Sequence, residues 1–241
     1  MDDLTKNNFF DGSLTIYQNK NGYRFSLDPI LLASHITLKG GEKIVDMGTG
    51  SGIIPLSIFY KNKNLNFKIF GIEIQKSLFE ISQKNIMENN ASDKIIIINK
   101  DINEISQKDI EGTCDIVVSN PPYQSPGAGR INPLSEKAVA RHEIKLNLKI
   151  LLKKTKSILK NKGKFFIIYP ARRASELIYE MEKIKITPKK LRFIHSFEKE
   201  NAVMVICQGI LNGNSGVEIM PPLYIYENLN KYSKETQKIL E

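Results

Sequence analysis

Ser119-Asn120-Pro121-Pro122-Tyr123 brings together residue types suited to holding a planar amine. The segment follows Asp115-Ile116-Val117-Val118, a β-branched apolar run that reads as a buried strand. Asn-Pro and Pro-Pro cannot continue a hydrogen-bonded ladder, so the strand ends there. In open α/β sheets, ligands bind beyond the carboxyl ends of the strands. The Asn120 side-chain oxygen and the Pro121 carbonyl can each accept from an NH2 group. Pro122 helps to fix the loop, and Tyr123 offers a ring for stacking. Asn120, Pro121, Pro122 and Tyr123 are therefore the catalytic candidates. A Pro-rich turn without chemistry reads the same way, so the rest of the chain has to decide.

Three further acids stand at strand ends. Asp46 lies in Lys43-Ile44-Val45-Asp46-Met47, directly before Gly48-Thr49-Gly50-Ser51-Gly52. Alternate glycines let the backbone turn sharply and let a ligand approach without Cβ hindrance. The spacing is G-x-G-x-G, not the G-x-G-x-x-G of dinucleotide sites, and an acid is awkward beside a pyrophosphate. The pattern fits a cofactor without phosphates and with a positively charged amino-acid end. Glu73 comes 21 residues after Gly52, at the tip of Ile69-Phe70-Gly71-Ile72-Glu73, where it can accept from both hydroxyls of a ribose. Asp101 follows the strand at 94–98 and can accept from an adenine amino group, with Ile102 covering the ring. Asp46, Gly48, Gly50, Gly52, Glu73, Asp101 and Ile102 thus describe one adenosyl pocket, with Asn120 on the neighbouring strand end. Asp28 either caps a helix whose first residue is Pro29 or touches the same cofactor across the sheet edge.

Holding these residues together requires strands and helices in alternation. Residues 14–18 and 23–25 read as a short hairpin around Asn19-Lys20-Asn21-Gly22, before the helix at Pro29. Strands fit 43–47, 69–73, 94–98 and 115–118, with helices at 53–58 and 75–90. Residues 124–133 are rich in turn formers and read as a mobile loop beside the site. Ala140-Arg141-His142-Glu143 leads into a helix with the stripe Leu148, Leu151, Leu152, Thr155, Ile158 and Leu159. Arg141 can pair with a phosphate and His142 can touch a base or its sugar; ordinary capping and surface contacts account for them equally well. A strand at 163–169 is followed by Arg172 and Arg173, which open another helix. No helix fits between the strands at 189–195 and 202–209, so they pair as a hairpin and one runs antiparallel. Residues 217–226 add a short edge element. The expectation is one domain over residues 1–241, with residues 1–40 forming a hairpin and helix extension that covers the cofactor site.

The chain has 241 residues, 41% hydrophobic and 25% charged, which supports a core and argues against disorder. It has no apolar run long enough to span a bilayer, and its acidic N-terminus lacks the signal-peptide pattern. Cys114 and Cys207 read as buried thiols of a cytoplasmic protein, and no spacing suggests a metal site. Charge is distributed unevenly. Residues 1–120 carry 13 Lys and Arg against 15 Asp and Glu, whereas residues 121–241 carry 22 against 11. A polyanion approaching the C-terminal half would account for this surplus, and nucleic acid is the evident candidate. Solvated lysines of a lysine-rich chain are the plainer account.

Taken together, VDMGTGSG, GIEIQ, DIN and SNPPY at successive strand ends resemble a class I S-adenosylmethionine-dependent methyltransferase. That resemblance implies a Rossmann-like α/β fold: a seven-stranded, mostly parallel sheet with an antiparallel last strand and helices on both faces. The SNPPY form is similar to amino-methyltransferases acting on adenine, cytosine, guanine or glutamine nitrogens. YRFSLDPILLA, ARHEI, YPARRASELI and PPLYIY narrow the likeness to the bacterial valine-tRNA adenine N6-methyltransferases, over roughly residues 13–230. The resemblance implies S-adenosyl-L-methionine as cofactor and tRNA as partner; from the residues no metal site and no membrane segment are expected, and a monomer is expected over an oligomer. The resemblance also implies Tyr123, Arg141, His142, Arg172 and Arg173 as the substrate side. Other RNA amino groups, a protein glutamine, or a retired scaffold that only binds RNA are the alternatives. Only about 40 residues precede the glycine loop, which argues against the glutamine enzymes and their N-terminal helical domain.

Overall fold

Runs of β-branched and aromatic residues alternating with amphipathic segments build a layered α/β structure. The computed structural model describes residues 4–20, 26–122 and 148–241. In chain order the main elements are β1 (Leu4–Phe9), β2 (Leu14–Asn19), α1 (Asp28–Ser34), β3 (Glu42–Met47) and α2 (Ile53–Lys61). They continue with β4 (Phe67–Glu73), α3 (Lys76–Glu88), β5 (Ile95–Asn99), β6 (Cys114–Ser119), α4 (Leu148–Ile158) and β7 (Leu159–Pro170). The chain ends with α5 (Ala174–Lys183), β8 (Ile186–His195), β9 (Ala202–Leu211), the short strands β10 (Glu218–Ile219) and β11 (Leu223–Tyr224), the small hairpin β12 (Tyr226–Asn228) and β13 (Lys231–Tyr232), and α6 (Lys234–Leu240).

The central sheet runs β8-β9-β7-β6-β3-β4-β5, with β10 and β11 both pairing parallel to the outer edge of β8. All pairs from β5 to β7 are parallel, and β9 is antiparallel to both its neighbours. The seven expected long strands and the antiparallel final one are therefore present, and the expected edge element is split into two short pieces. Strands buried on both faces need no polar alternation, which is why β3, β4 and β6 read as near-continuous apolar runs. One core packs α1, α2, the β1–β2 hairpin and Ile86 of α3 against one sheet face; the second packs α4 and α5 against the other.

One strand is added and two local expectations are corrected. Residues 14–18 form a strand as expected, and it pairs with β1 through a turn at Phe10–Ser13, a hairpin the sequence did not announce. Its turn uses left-handed backbone at Phe10, Asp11 and Gly12, and residues 21–25 lie outside the described residues. The α1 cap is Leu27 and Asp28 is the first helical residue, so Asp28 contributes a first-turn acid instead of a capping side chain. Finally, β8 starts at Ile186 and passes through Pro188, where a register shift accommodates the missing N–H.

Candidate active site

Register aligns the strand tips. Asp46 pairs with Val118 across β3–β6, Met47 with Ile72 across β3–β4, and Glu73 with Asn99 across β4–β5. Asn120, Gly48 and Glu73 therefore follow on three adjacent strands, with the β5 end next to them. At about 4.8 Å per strand, the row from Asn120 to the β5 tip spans ~14 Å. The Ser119 hydroxyl donates to the Met47 carbonyl at 2.7 Å, in a fully buried bond that locks the β6 tip to the β3 tip. Asn120 is half-buried, Pro121 buried and Pro122 exposed.

The glycine loop is built on β4. The N–H groups of Gly48 and Thr49 both donate to the Ile72 carbonyl, at 3.0 and 2.9 Å. Gly48 and Gly52 have φ of +82° and +83°, which a side chain would strain. A Cβ added at Gly48 or Gly50 would meet nothing within 4 Å, so open space lies above the loop. Gly71 is a contributor that sequence reasoning missed. A Cβ there would stand 2.7 Å from Ile97 Cδ1 and 2.9 Å from Thr49 Oγ1, so only glycine lets the loop settle on β4. Its signal was present, as a lone glycine inside an apolar strand marks close approach of another segment.

Asp46 is fully buried, and neither carboxylate oxygen has a hydrogen-bond partner among the described residues. Burial pushes its pKa up to about 7; the Thr49 hydroxyl offsets this without completing a geometrically sound bond, and the Glu73 charge adds to the rise. An orphaned buried carboxylate below an open glycine loop suits a cationic group arriving from outside. Glu73 is also buried, and its oxygens accept from Gly50 N at 2.9 Å and Gln75 N at 2.8 Å. It thus anchors the loop, a duty the sequence did not disclose. Asp101 caps a 3₁₀ turn at Ile102–Glu104, its Oδ1 accepting from Asn103 N and Asn103 Nδ2 at 2.8 and 3.0 Å. Ile102 is buried beside it.

Asn85 of α3 is a second contributor missed from sequence. It is fully buried and donates to Ser51 O in the glycine loop at 2.8 Å and to Tyr17 O at 3.0 Å, while accepting from Tyr17 N at 2.8 Å. Asn89, one turn on, pairs in the same two-way manner with the Thr15 backbone. The two amides mimic a β-ladder on the edge of β2, and Asn85 extends that ladder to the cofactor loop.

Arg172 and Arg173 follow the end of β7, next to the β6 tip. Arg172 is exposed. Arg173 forms a two-bond pair with Glu176 and lies 4.8 Å above the Tyr169 ring, so it is already engaged. Asp28 is half-buried at the start of α1, and burial raises its pKa. Tyr123, Arg141 and His142 lie outside the described residues. Among the described residues, no group of three His, Cys, Asp or Glu is placed to hold a metal ion, and no helix is long and apolar enough to cross a membrane. Cys114 and Cys207 are both free and buried.

Residues 28–185 match the family described as the methyltransferase small domain. The chain is 29% identical over 157 residues to the tRNA1(Val) (adenine(37)-N6)-methyltransferase of Flavobacteriaceae bacterium (strain 3519-10), covering 65% of this chain and 63% of that protein. It is 30% identical over 171 residues to the protein of the same name from Trichodesmium erythraeum (strain IMS101), covering 70% and 69% respectively. A solved structure described as a predicted O-methyltransferase from Agrobacterium tumefaciens superposes with a TM-score of 0.69 at 16% identity, over 88% of this chain and 94% of that one.

Proposed function

The chain belongs to the methyltransferase small domain family, with S-adenosyl-L-methionine as its cofactor, and from that premise we propose that it methylates the exocyclic N6 of an adenine in tRNA. The adenine just 3′ of the anticodon of a valine tRNA is the target favoured by the names of its relatives. The observation that carries this reading is the Asn120-Pro121-Pro122 segment, held one strand from the glycine loop by the Ser119–Met47 bond. A tRNA substrate places the enzyme in the cytoplasm, and one chain carries every proposed site residue, so a monomer suffices.

The residues fit the cofactor. Asp46 and the open loop at Gly48, Gly50 and Gly52 would take its charged amino-acid end, Glu73 its ribose, and Asp101 with Ile102 its adenine, with Asp28 at the edge. When bound, S-adenosyl-L-methionine would supply an electrophilic methyl carbon on a sulfonium, so that an N–C bond can form as the C–S bond breaks and the sulfur departs as a neutral thioether. The protein's task is positioning. Asn120 Oδ1 and the Pro121 carbonyl accept hydrogen bonds from the two N6–H groups, which turns the nitrogen lone pair toward the cofactor side of the rim. Tyr123 stacks on a target base already unstacked in the anticodon loop. Arg141, Arg172 and Arg173 would meet phosphates, and His142 would touch the base or its sugar. Holding reacting atoms about 3–3.5 Å apart is the main contribution, and it can be worth several powers of ten in rate. No strong general base is required, because the methylated nitrogen is cationic and loses its proton to water afterwards.

The test is single-turnover methyl transfer to tRNA by Asn120→Ala, beside cofactor binding by calorimetry. We expect at least ~100-fold slower transfer with cofactor affinity nearly unchanged. Equal losses in both would contradict the amine-holding role.

A further inference from the structure

Away from the strand tips, a cavity of about 670 Å³ lies on the sheet face that also carries α1 and α6. Register defines its floor. Phe166, Gln208 and Lys190 stand side by side across β7, β9 and β8, and Ile206 and Arg192 follow in a neighbouring row. Its walls include His35 at the end of α1, Lys61 at the end of α2, and Lys238 of α6. Five cations line it, Lys61, Lys164, Lys190, Arg192 and Lys238, against the single carboxylate of Glu235.

That carboxylate is already committed, since Arg192 grips it through two contacts of 2.7 and 2.8 Å. Lys190 has Glu218 at 3.3 Å, outside the lining. Lys61 donates to the Ile239 carbonyl at 3.4 Å and lies 5.7 Å over the Phe10 ring, with no carboxylate partner among the described residues, and burial lowers its pKa. Lys164 and Lys238 form no ion pair with any described residue. Three lysines without an ion pair among the described residues, Lys61, Lys164 and Lys238, converge over a floor of mixed polarity and focus a positive potential that an arriving polyanion relieves.

We propose that this cavity is a second anchoring site for the tRNA phosphate backbone, separate from the catalytic rim. The proposal rests on the tRNA reading above. Phe166 on its floor is four residues from Pro170 at the rim, about 13 Å along the strand. A strand of nucleic acid carries a phosphate every few ångströms, so one anticodon arm can engage rim and cavity together. The basic surplus of residues 121–241 has part of its explanation here, in Lys164, Lys190, Arg192 and Lys238.

The experiment uses the full chain carrying Lys164→Ala and Lys238→Ala, with Lys153→Ala and Lys156→Ala on exposed positions of α4 as the charge-matched control. Binding of unmodified tRNA is followed by fluorescence anisotropy over a salt series, and cofactor affinity is measured beside it. The cavity variant should bind tRNA roughly tenfold more weakly at low salt, and the slope of log affinity against log salt should be shallower by about 1.4, the equivalent of two lost phosphate contacts. Cofactor affinity should be unchanged, and the control should lose much less. Unchanged tRNA affinity and slope, or an equal loss in the control, would overturn the proposal. Wild-type methyl transfer to tRNA reads the catalytic assignment separately. Transfer intact with an indifferent cavity variant removes the cavity alone, whereas cavity-dependent RNA binding without transfer removes the catalytic reading.

Discussion

At the scale of single residues, Asp46 is the group whose environment asks most for a ligand. Its pKa rises from 3.8 to about 7, chiefly through burial, so the folded protein holds a proton that the unfolded chain has released between those values. Its contribution to stability is complete below pH 4 and declines as pH rises toward 7, by roughly 4 kcal/mol in all. A ligand ammonium reverses the preference and favours the ionised carboxylate. Cofactor affinity should therefore strengthen by up to about tenfold per pH unit below pH 7 and level off above it. Asp46→Asn should raise the melting temperature of the ligand-free protein at pH 8 while flattening and weakening cofactor binding at every pH. Calorimetric titrations from pH 5.5 to 8.5 read both; a pH-independent wild-type affinity would contradict the role. The acid beside the glycines was legible in the sequence because its charge sign and position are local facts. That Gly50 and Gln75 occupy the Glu73 oxygens was not, since those bonds depend on how the loop folds back over β4.

At the scale of elements, the long apolar strands followed from periodicity and length, while strand β1 went unread. β1 reads Leu-Thr-Lys-Asn-Asn-Phe, with little β-forming signal, and forms because β2 offers it an edge. β2 is in turn held by the two asparagines of α3, a long-range pairing that local propensity cannot reveal. This arrangement gives a comparative prediction. Asn85→Ala and Asn89→Ala each release the β2 backbone, and each should cost about 1–3 kcal/mol in unfolding experiments. Only Asn85 touches Ser51, so only Asn85→Ala should also weaken cofactor binding, by roughly tenfold well below the melting transition. Equal cofactor affinities in the two variants would assign Asn85 to the hairpin alone. The last helix, α6, was also unread: its Ser233 cap and Thr236 are visible, but its seven residues are too short to stand out without the tertiary contacts they make.

At the scale of the whole molecule, the parallel sheet brings the ends of β3, β4, β5, β6 and β7 to one rim, and the antiparallel β9 places β8 beyond it. The alternation of strands and helices and the closing hairpin were legible in the sequence; the order of strands across the sheet was not, because parallel neighbours are chosen by tertiary packing. The basic cavity was not, because Lys61, Lys164, Lys190 and Lys238 come from four elements and look like scattered surface lysines in the sequence. The rim and the charge distribution together are what the proposed reading requires: strand tips for an adenosyl cofactor and a basic surface for a polyanionic substrate. The most direct test is methyl transfer from labelled S-adenosyl-L-methionine to bulk tRNA lacking the modification, followed by nucleoside and tRNA-species analysis. The account predicts label in N6-methyladenosine of a valine tRNA, lost in Asn120→Ala. Label absent from tRNA and found instead in ribosomal RNA or protein would contradict it, leaving a methyltransferase with a different substrate.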